Sequence, residues 1–226
     1  MLKQLNEDDD LLSLVIEKML GVNVKIAGVV LAGGQSLRMG KDKAILTIEH
    51  RTLLSRAVSL LKNAGIDDCY VSGNYDDFNC ILDQHSSLGP IAGIEACSAQ
   101  LSIQFDAIFI IPVDMPLLAV EDCHYLMQHF LKSNEGQSHN IDRQGVYYED
   151  VTFPMILSLN DTLANYLAEV VTSHHKKHRS LYRLLKSLDI KGINRKECDA
   201  FRFENTNTPE QWQQCLSTYA AMHSKN

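Results

Sequence analysis

The six cysteines of this chain form no C-x-x-C pair and no other metal-ligand spacing, so a cysteine-built metal site is not indicated and a reducing, cytoplasmic setting fits best. A positive surplus is also missing: the net charge is -7 and the sequence pI is near 5.7. Broad electrostatic attraction to nucleic acid or to an anionic membrane is therefore not its purpose, and any phosphate ligand has to be held by local features. Long apolar runs are absent at the start. The segment Leu11 to Leu20 is interrupted by Glu17 and Lys18, which reads as neither a signal peptide nor a membrane span. No internal repeat or low-complexity linker breaks the chain, and no Ser-His-Asp set or evident catalytic histidine stands out.

What is present first is a short helical pattern. An acidic start at Asp8 to Asp10, apolar positions at Leu11, Leu12, Val15, Ile16 and Met19, and a stop at Gly21 predict an N-terminal helical extension over residues 1–23. From Val24 the spacing changes. Ile26 to Ala32 is a continuous apolar run of the kind a strand needs when both faces of a parallel sheet are covered. A glycine-rich loop follows from Gly33 to Gly40, then a helical stripe between Thr52 and Ala64.

Further strands are expected at Asp68 to Ser72, Cys80 to Asp83, Ala107 to Ile111 and Val151 to Leu159. Helices are expected at Pro90 to Ala99, from Val120 to about Leu131, at Leu163 to Val171, at Ser180 to Leu188 and at Pro209 to Ala221, and a variable loop from Ser133 to Tyr148. This alternation predicts an α/β fold: one three-layer domain over residues 24–226, with a mostly parallel, twisted, Rossmann-like sheet.

The segment Leu31-Ala32-Gly33-Gly34-Gln35-Ser36-Leu37-Arg38-Met39-Gly40-Lys41-Asp42-Lys43 lies where such a sheet binds phosphate. Glycines after a buried strand let backbone N–H groups approach an anion, and Arg38 and Lys43 add two positive charges. The spacing matches neither G-x-G-x-x-G nor G-x-x-x-x-G-K-[ST], so neither a dehydrogenase nor a P-loop NTPase is supported. A second element, Ile110-Ile111-Pro112-Val113-Asp114-Met115-Pro116, sets one carboxylate just past a buried strand between two prolines. A single rigid aspartate suffices to anchor Mg²⁺, which takes its other ligands from phosphate and water. A helix or turn cap is the plainer role for Asp114.

The glycine-rich segment resembles the L-A-G-G-x-S-x-R-M-G-x-D-K signature of the molybdenum cofactor guanylyltransferases, the MobA family, and matches it at every position. P-x-D-x-P at Asp114 is similar to the same family, as are Asp83 with Gly89-Pro90-Ile91-Ala92-Gly93, the loop Ser72-Gly73-Asn74, Arg179-Ser180-Leu181, and Asn205-Thr206-Asn207-Thr208-Pro209-Glu210. Ser72 departs from the Asn often found at its position.

The resemblance implies a nucleotide-diphospho-sugar transferase-like fold. It implies an enzyme that transfers GMP from GTP to the terminal phosphate of molybdopterin or molybdenum cofactor, with Mg²⁺ as cofactor and release of pyrophosphate. By the same resemblance the catalytic residues are Arg38, Lys43 and Asp114, with Asp114 on the metal. The nucleotide site takes Leu31, Ala32, Gly33, Gly34, Ser36, Lys43, Ser72, Asp83, Gly93 and Asp114, and Arg179, Asn205 and Asn207 face the molybdopterin substrate. Partners implied are GTP, molybdopterin, and molybdopterin-delivering proteins, acceptor molybdoenzymes or their chaperones. Two other readings remain open at this point: a cytidylyltransferase acting on molybdopterin or another phosphate acceptor, and a non-catalytic GTP-binding accessory protein.

Overall fold

The computed structural model describes residues 24–33, 42–85, 88–132, 144–173, 179–195 and 197–224. The expected N-terminal helix, most of the glycine-rich loop with Gly34, Ser36 and Arg38, and residues 133–143 lie outside the described residues.

Strand β1 (Ile26–Leu31) lies inside the sheet because its residues are apolar on both faces, and five of its six are buried. It pairs in parallel with β4 (Cys69–Ser72) on one side and β6 (Ala107–Pro112) on the other. Strand β5 (Cys80–Ile81) adds to β4, again in parallel. Beyond β6 come β8 (Met155–Ser158), β7 (Gly145–Tyr148) and β9 (Lys191–Ile193), which completes a seven-stranded sheet of order β5-β4-β1-β6-β8-β7-β9. Only β8 runs against the others. A small antiparallel pair, β2 (Thr47–Ile48) and β3 (Arg51–Thr52), leads into the first helix.

Helix α1 (Leu53–Asn63) starts where the Thr52 hydroxyl accepts the Ser55 amide, and it packs beside α3 (Val120–Lys132) on one face of the sheet. On the other face α2 (Pro90–Leu101) packs against α4 (Asp161–Thr172). The Asn160 side chain caps α4 by accepting the Leu163 amide. Helices α5 (Leu181–Ser187) and α6 (Pro209–His223) complete the described set. These layers give the mostly parallel α/β sheet with helices on both faces that the alternation predicts.

The expected strand over Val151 to Leu159 is shorter, because its ladder begins only at Met155, after Pro154, which lacks the N–H that a ladder uses. The expected loop up to Tyr148 ends in strand β7. Four residues carry too weak an alternation to be read as a strand, and tertiary contacts decide: Tyr148 is 2% exposed, and its hydroxyl donates to the Asp122 carbonyl at 2.7 Å. Strand β9 was likewise hidden in a three-residue stretch that joins the sheet beside β7.

The register positions the functional edge. Leu31 lies opposite both Ser72 and Pro112, and Ser72 lies opposite Ile81. Four parallel strands therefore end level with one another, across a width of about 15 Å at the usual strand spacing. Ala32-Gly33, Gly73, Asp83 and Asp114 each follow one of these ends by one or two residues.

Candidate active site

Two backbone bonds lock the strand ends together. The Ala32 amide donates to the Ser72 carbonyl at 3.1 Å, and the Val113 amide donates to the Leu31 carbonyl at 3.1 Å. Gly33 leaves the sheet between them, close to the Ser72 carbonyl, with 3.5 Å from that oxygen to where a Cβ would stand. Ser72 is 4% exposed, and its hydroxyl turns inward toward Gly93 on α2. A Cβ on Gly93 would come 2.3 Å from that oxygen, so glycine is what allows α2 to approach β4 this closely. Gly89 precedes α2 with φ of 68°, the left-handed region in which glycine is at ease, and Pro90 opens the helix. Asp83 lies exposed past β5, near enough to Cys97 on α2 to add to the rise of that thiol, whose pKa burial pushes up to about 12.

Lys43 opens a short 3-10 turn, Lys43–Ile45, whose cap is Asp42: the Asp42 carboxylate accepts the Ala44 amide at 2.9 Å. That turn aims the Lys43 ammonium across the sheet edge at Asp114, with Nζ 2.9 Å from Oδ2. The two side chains are 13% and 20% exposed, so the pair is sheltered yet open to the edge. Lys43 Nζ also donates to Asn207 Oδ1.

Asn207 reaches this point because its own segment is sewn to the Asp114 loop. Thr206, 2% exposed, donates its amide to the Asp114 carbonyl at 2.9 Å, with its hydroxyl 3.3 Å from the same oxygen. Two residues later Thr208 begins α6 through a capping box with Gln211, whose side-chain oxygen also accepts the Asn207 amide at 2.7 Å. The N-x-N-T-P-E segment thus combines a helix start with delivery of one asparagine to the ion pair.

Of the residues singled out in the sequence, Lys43, Asp114 and Asn207 meet directly. Leu31, Ala32, Gly33, Ser72, Asp83 and Gly93 lie along the same four strand ends. Asn205 is exposed next to Thr206. Arg179 turns back instead: its Nη2 donates to the Ser173 carbonyl at 2.6 Å, and its Nε is buried with no hydrogen-bond partner among the described residues. Two contributors escaped the sequence reading. Thr206 lay inside a quoted motif but had no assigned role, and Tyr75, whose hydroxyl is 2.9 Å from Asp42 Oδ2, had no signal at all.

The cluster suits a hard cation held jointly with a polyphosphate. Among the described residues no group of three or more His, Cys, Asp or Glu could hold a metal alone. Asp114 offers one carboxylate, and a magnesium ion would have to draw its remaining ligands from phosphate oxygens and water, which is its usual habit. Lys43 beside it supplies a cation that can pass to the same phosphates. No helix among the described residues is long and apolar enough to cross a membrane.

Residues 28–190 match the family described as "MobA-like NTP transferase domain". A molybdenum cofactor guanylyltransferase of Xanthomonas euvesicatoria pv. vesicatoria is 35% identical over 189 residues, covering 84% of this chain and 93% of that protein. Among solved structures, molybdopterin-guanine dinucleotide biosynthesis protein A of Archaeoglobus fulgidus superposes with a TM-score of 0.63 at 17% identity, covering 86% of this chain and 99% of that one. The 4-diphosphocytidyl-2C-methyl-D-erythritolsynthase of Anaerococcus prevotii superposes with a TM-score of 0.64 at 12% identity, covering 89% and 98%. The chain belongs to the MobA-like NTP transferase family and has its nucleotidyltransferase fold.

Proposed function

Within this nucleotidyltransferase family, we propose that the chain is a cytoplasmic guanylyltransferase that transfers GMP from GTP to the terminal phosphate of molybdopterin or its molybdenum-bearing form. The observation that carries the reading is the meeting of Lys43, Asp114 and Asn207, which come from three motifs separated by 71 and 164 residues, Lys43 being common to both spans. The 35% identity to a guanylyltransferase supports GTP as the donor.

In the reaction proposed, an oxygen of the acceptor phosphate attacks the α-phosphorus of GTP. The bond from that phosphorus to the α,β-bridging oxygen breaks, and pyrophosphate leaves with the electron pair. Such chemistry asks the protein for positioning and charge neutralisation. A phosphate nucleophile is already ionised near pH 7, so no general base is required. Lys43 neutralises charge on the polyphosphate, and Asn207 holds the ammonium in line while it does so. Asp114 anchors the cation, and a bound Mg²⁺ supplies further neutralisation of the phosphate oxygens. Because Lys43 rests on Asp114, its move onto the incoming phosphates would leave that carboxylate available to hold Mg²⁺. Arg38 and the backbone of Gly33 to Ser36 complete the phosphate cradle in this proposal, and Arg179 and Asn205 face the acceptor.

The test is to incubate the purified protein with molybdopterin-type cofactor, Mg²⁺ and each nucleoside triphosphate in turn. Pyrophosphate and a guanine dinucleotide should form in equal amounts with GTP. Preferential use of CTP would overturn the choice of base, and GTP binding without pyrophosphate release would make the protein an accessory binder.

A further inference from the structure

Tyr75 lies in the turn between β4 and β5, where its carbonyl accepts the Phe78 amide at 3.2 Å and its amide lies 3.2 Å from Cys80 Sγ. The ring passes close to Gly73: a Cβ there would come 2.7 Å from Tyr75 Cε2, so the glycine makes room for the phenol. Its hydroxyl is 2.9 Å from Asp42 Oδ2 and 3.2 Å from the Ala32 carbonyl oxygen. One proton serves one acceptor at a time, and the shorter, charged contact to Asp42 is the stronger. The other oxygen of Asp42 takes the Ala44 amide at 2.9 Å. Both carboxylate oxygens are thereby fixed, and the residue between Asp42 and Ala44 is Lys43.

From this geometry we infer that Tyr75 is a positioning residue for Lys43, acting through Asp42. Its hydroxyl ties the turn after β4 to the start of the Lys43 turn, so the ammonium is aimed before substrate arrives. Preorganisation of this kind matters because a displacement of about 1 Å at a charge-neutralising group can cost two orders of magnitude in rate. Burial, with the Asp42 hydrogen bond and charge adding to it, raises the Tyr75 phenol above its ordinary value, so the donor keeps its proton through neutral and mildly alkaline pH. The inference rests on the reading that Lys43 meets the polyphosphate.

A double-mutant cycle separates the two ideas. In the full chain, Tyr75→Phe should lower kcat/KM for GTP about tenfold, and the same change added to Lys43→Ala should lower it less than twofold further, because there is no longer an ammonium to aim. Tyr75→Phe should also weaken GTP binding in calorimetric titration with Mg²⁺, by about tenfold, while the melting temperature shifts by only a few degrees. Should Tyr75→Phe fold poorly, Asp42→Asn takes its place in the cycle, since it removes the charged acceptor from the tyrosine and should show the same lack of additivity. An equal loss in both backgrounds, or no loss in either, would mean that Tyr75 only stitches the turn, and the inference would be wrong. If Lys43→Ala by itself leaves GTP affinity and kcat/KM unchanged, the role assigned to Lys43 under the proposed function is the part that fails.

Discussion

Lys43–Asp114 and Arg202–Asp122 are ion pairs of similar shelter, with side-chain exposures of 13% and 20% for the first and 21% and 11% for the second, yet their surroundings differ. Asp122 is bound from several directions. One oxygen accepts the Ala119 amide at 3.0 Å, the other lies 3.5 Å from Arg202 Nη1, and its carbonyl takes the Tyr148 hydroxyl. Arg202 thereby ties the 3-10 segment Glu197–Phe203 to the start of α3, and Phe203 packs its ring edgewise on Tyr148. Asp114 has one oxygen on Lys43, while its second accepts no hydrogen bond among the described residues. The Asp122 pair is spent on holding the molecule together, whereas the Asp114 pair keeps coordination capacity in reserve at a level row of strand ends. Under the proposed function, what separates the Asp114 pair from the Asp122 pair is saturation among the described residues, since their shelter is similar while the Lys43–Asp114 contact, at 2.9 Å against 3.5 Å, is the shorter.

That contrast breaks most visibly in Asp114→Ala. Loss of the carboxylate should reduce transfer by about 10³-fold or more, the scale of a lost electrostatic anchor in phosphoryl-type chemistry. Stability should fall by only about 1 kcal/mol, because Lys43 retains Asn207 and access to water. Paired assays of pyrophosphate release and thermal melting check both halves. Full activity of this variant with Mg²⁺ present would remove Asp114 from the mechanism.

Lys43→Ala comes next, with a loss of about 10²-fold in kcat/KM for GTP, comparable to deleting one preorganised donor. Unchanged kinetic constants would show that the ammonium is a resting partner of Asp114 and nothing more. Arg202→Ala should give the converse result. Removing one partner of a sheltered ion pair should cost about 2 kcal/mol, or roughly 4–8 °C in melting temperature for a chain of this size, with kcat/KM within a few-fold of wild type. If Arg202→Ala loses transfer as severely as Asp114→Ala while melting normally, saturation does not separate the two pairs.

The same contrast explains what the sequence disclosed. The parallel half is legible because β1 and β6 must be apolar on both faces, and because glycines and an aspartate between prolines mark where those strands stop. Lys43, Asp114 and Asn207 could be named from motifs, although only the fold brings them to one point. The other half depends on tertiary contacts. Strands β7 and β9 have four and three residues, too few for a period, and they exist through pairing and through burial of Tyr148. Tyr75 was silent for a related reason: its contact with Asp42 spans 33 residues, and nothing in its neighbours announces it. A residue whose role is to aim another leaves no local pattern.

The smallest effect concerns two buried thiols, Cys97 near Asp83 and Cys123 near Asp122 and Glu121. Burial first and Asp83 second raise Cys97 from 9.0 to about 12, while burial and then Asp122 and Glu121 raise Cys123 from the same starting value. A raised thiol pKa means that the folded chain keeps a proton that the unfolded chain releases. Stability from these groups is therefore complete below about pH 9 and declines as pH rises toward 12, since the unfolded state binds fewer protons in that window. Each thiol adds a slope of at most about 1.4 kcal/mol per pH unit. Denaturant midpoints measured from pH 7 to 10.5 should fall above pH 9, and Cys97→Ala should flatten that fall even if it lowers the midpoint at neutral pH. Because burial is the leading cause for both thiols, Cys123→Ala should flatten the curve in the same direction. Equal behaviour of the two would mark burial as their common cause, whereas a flattening confined to one would show that the layers around the two thiols differ.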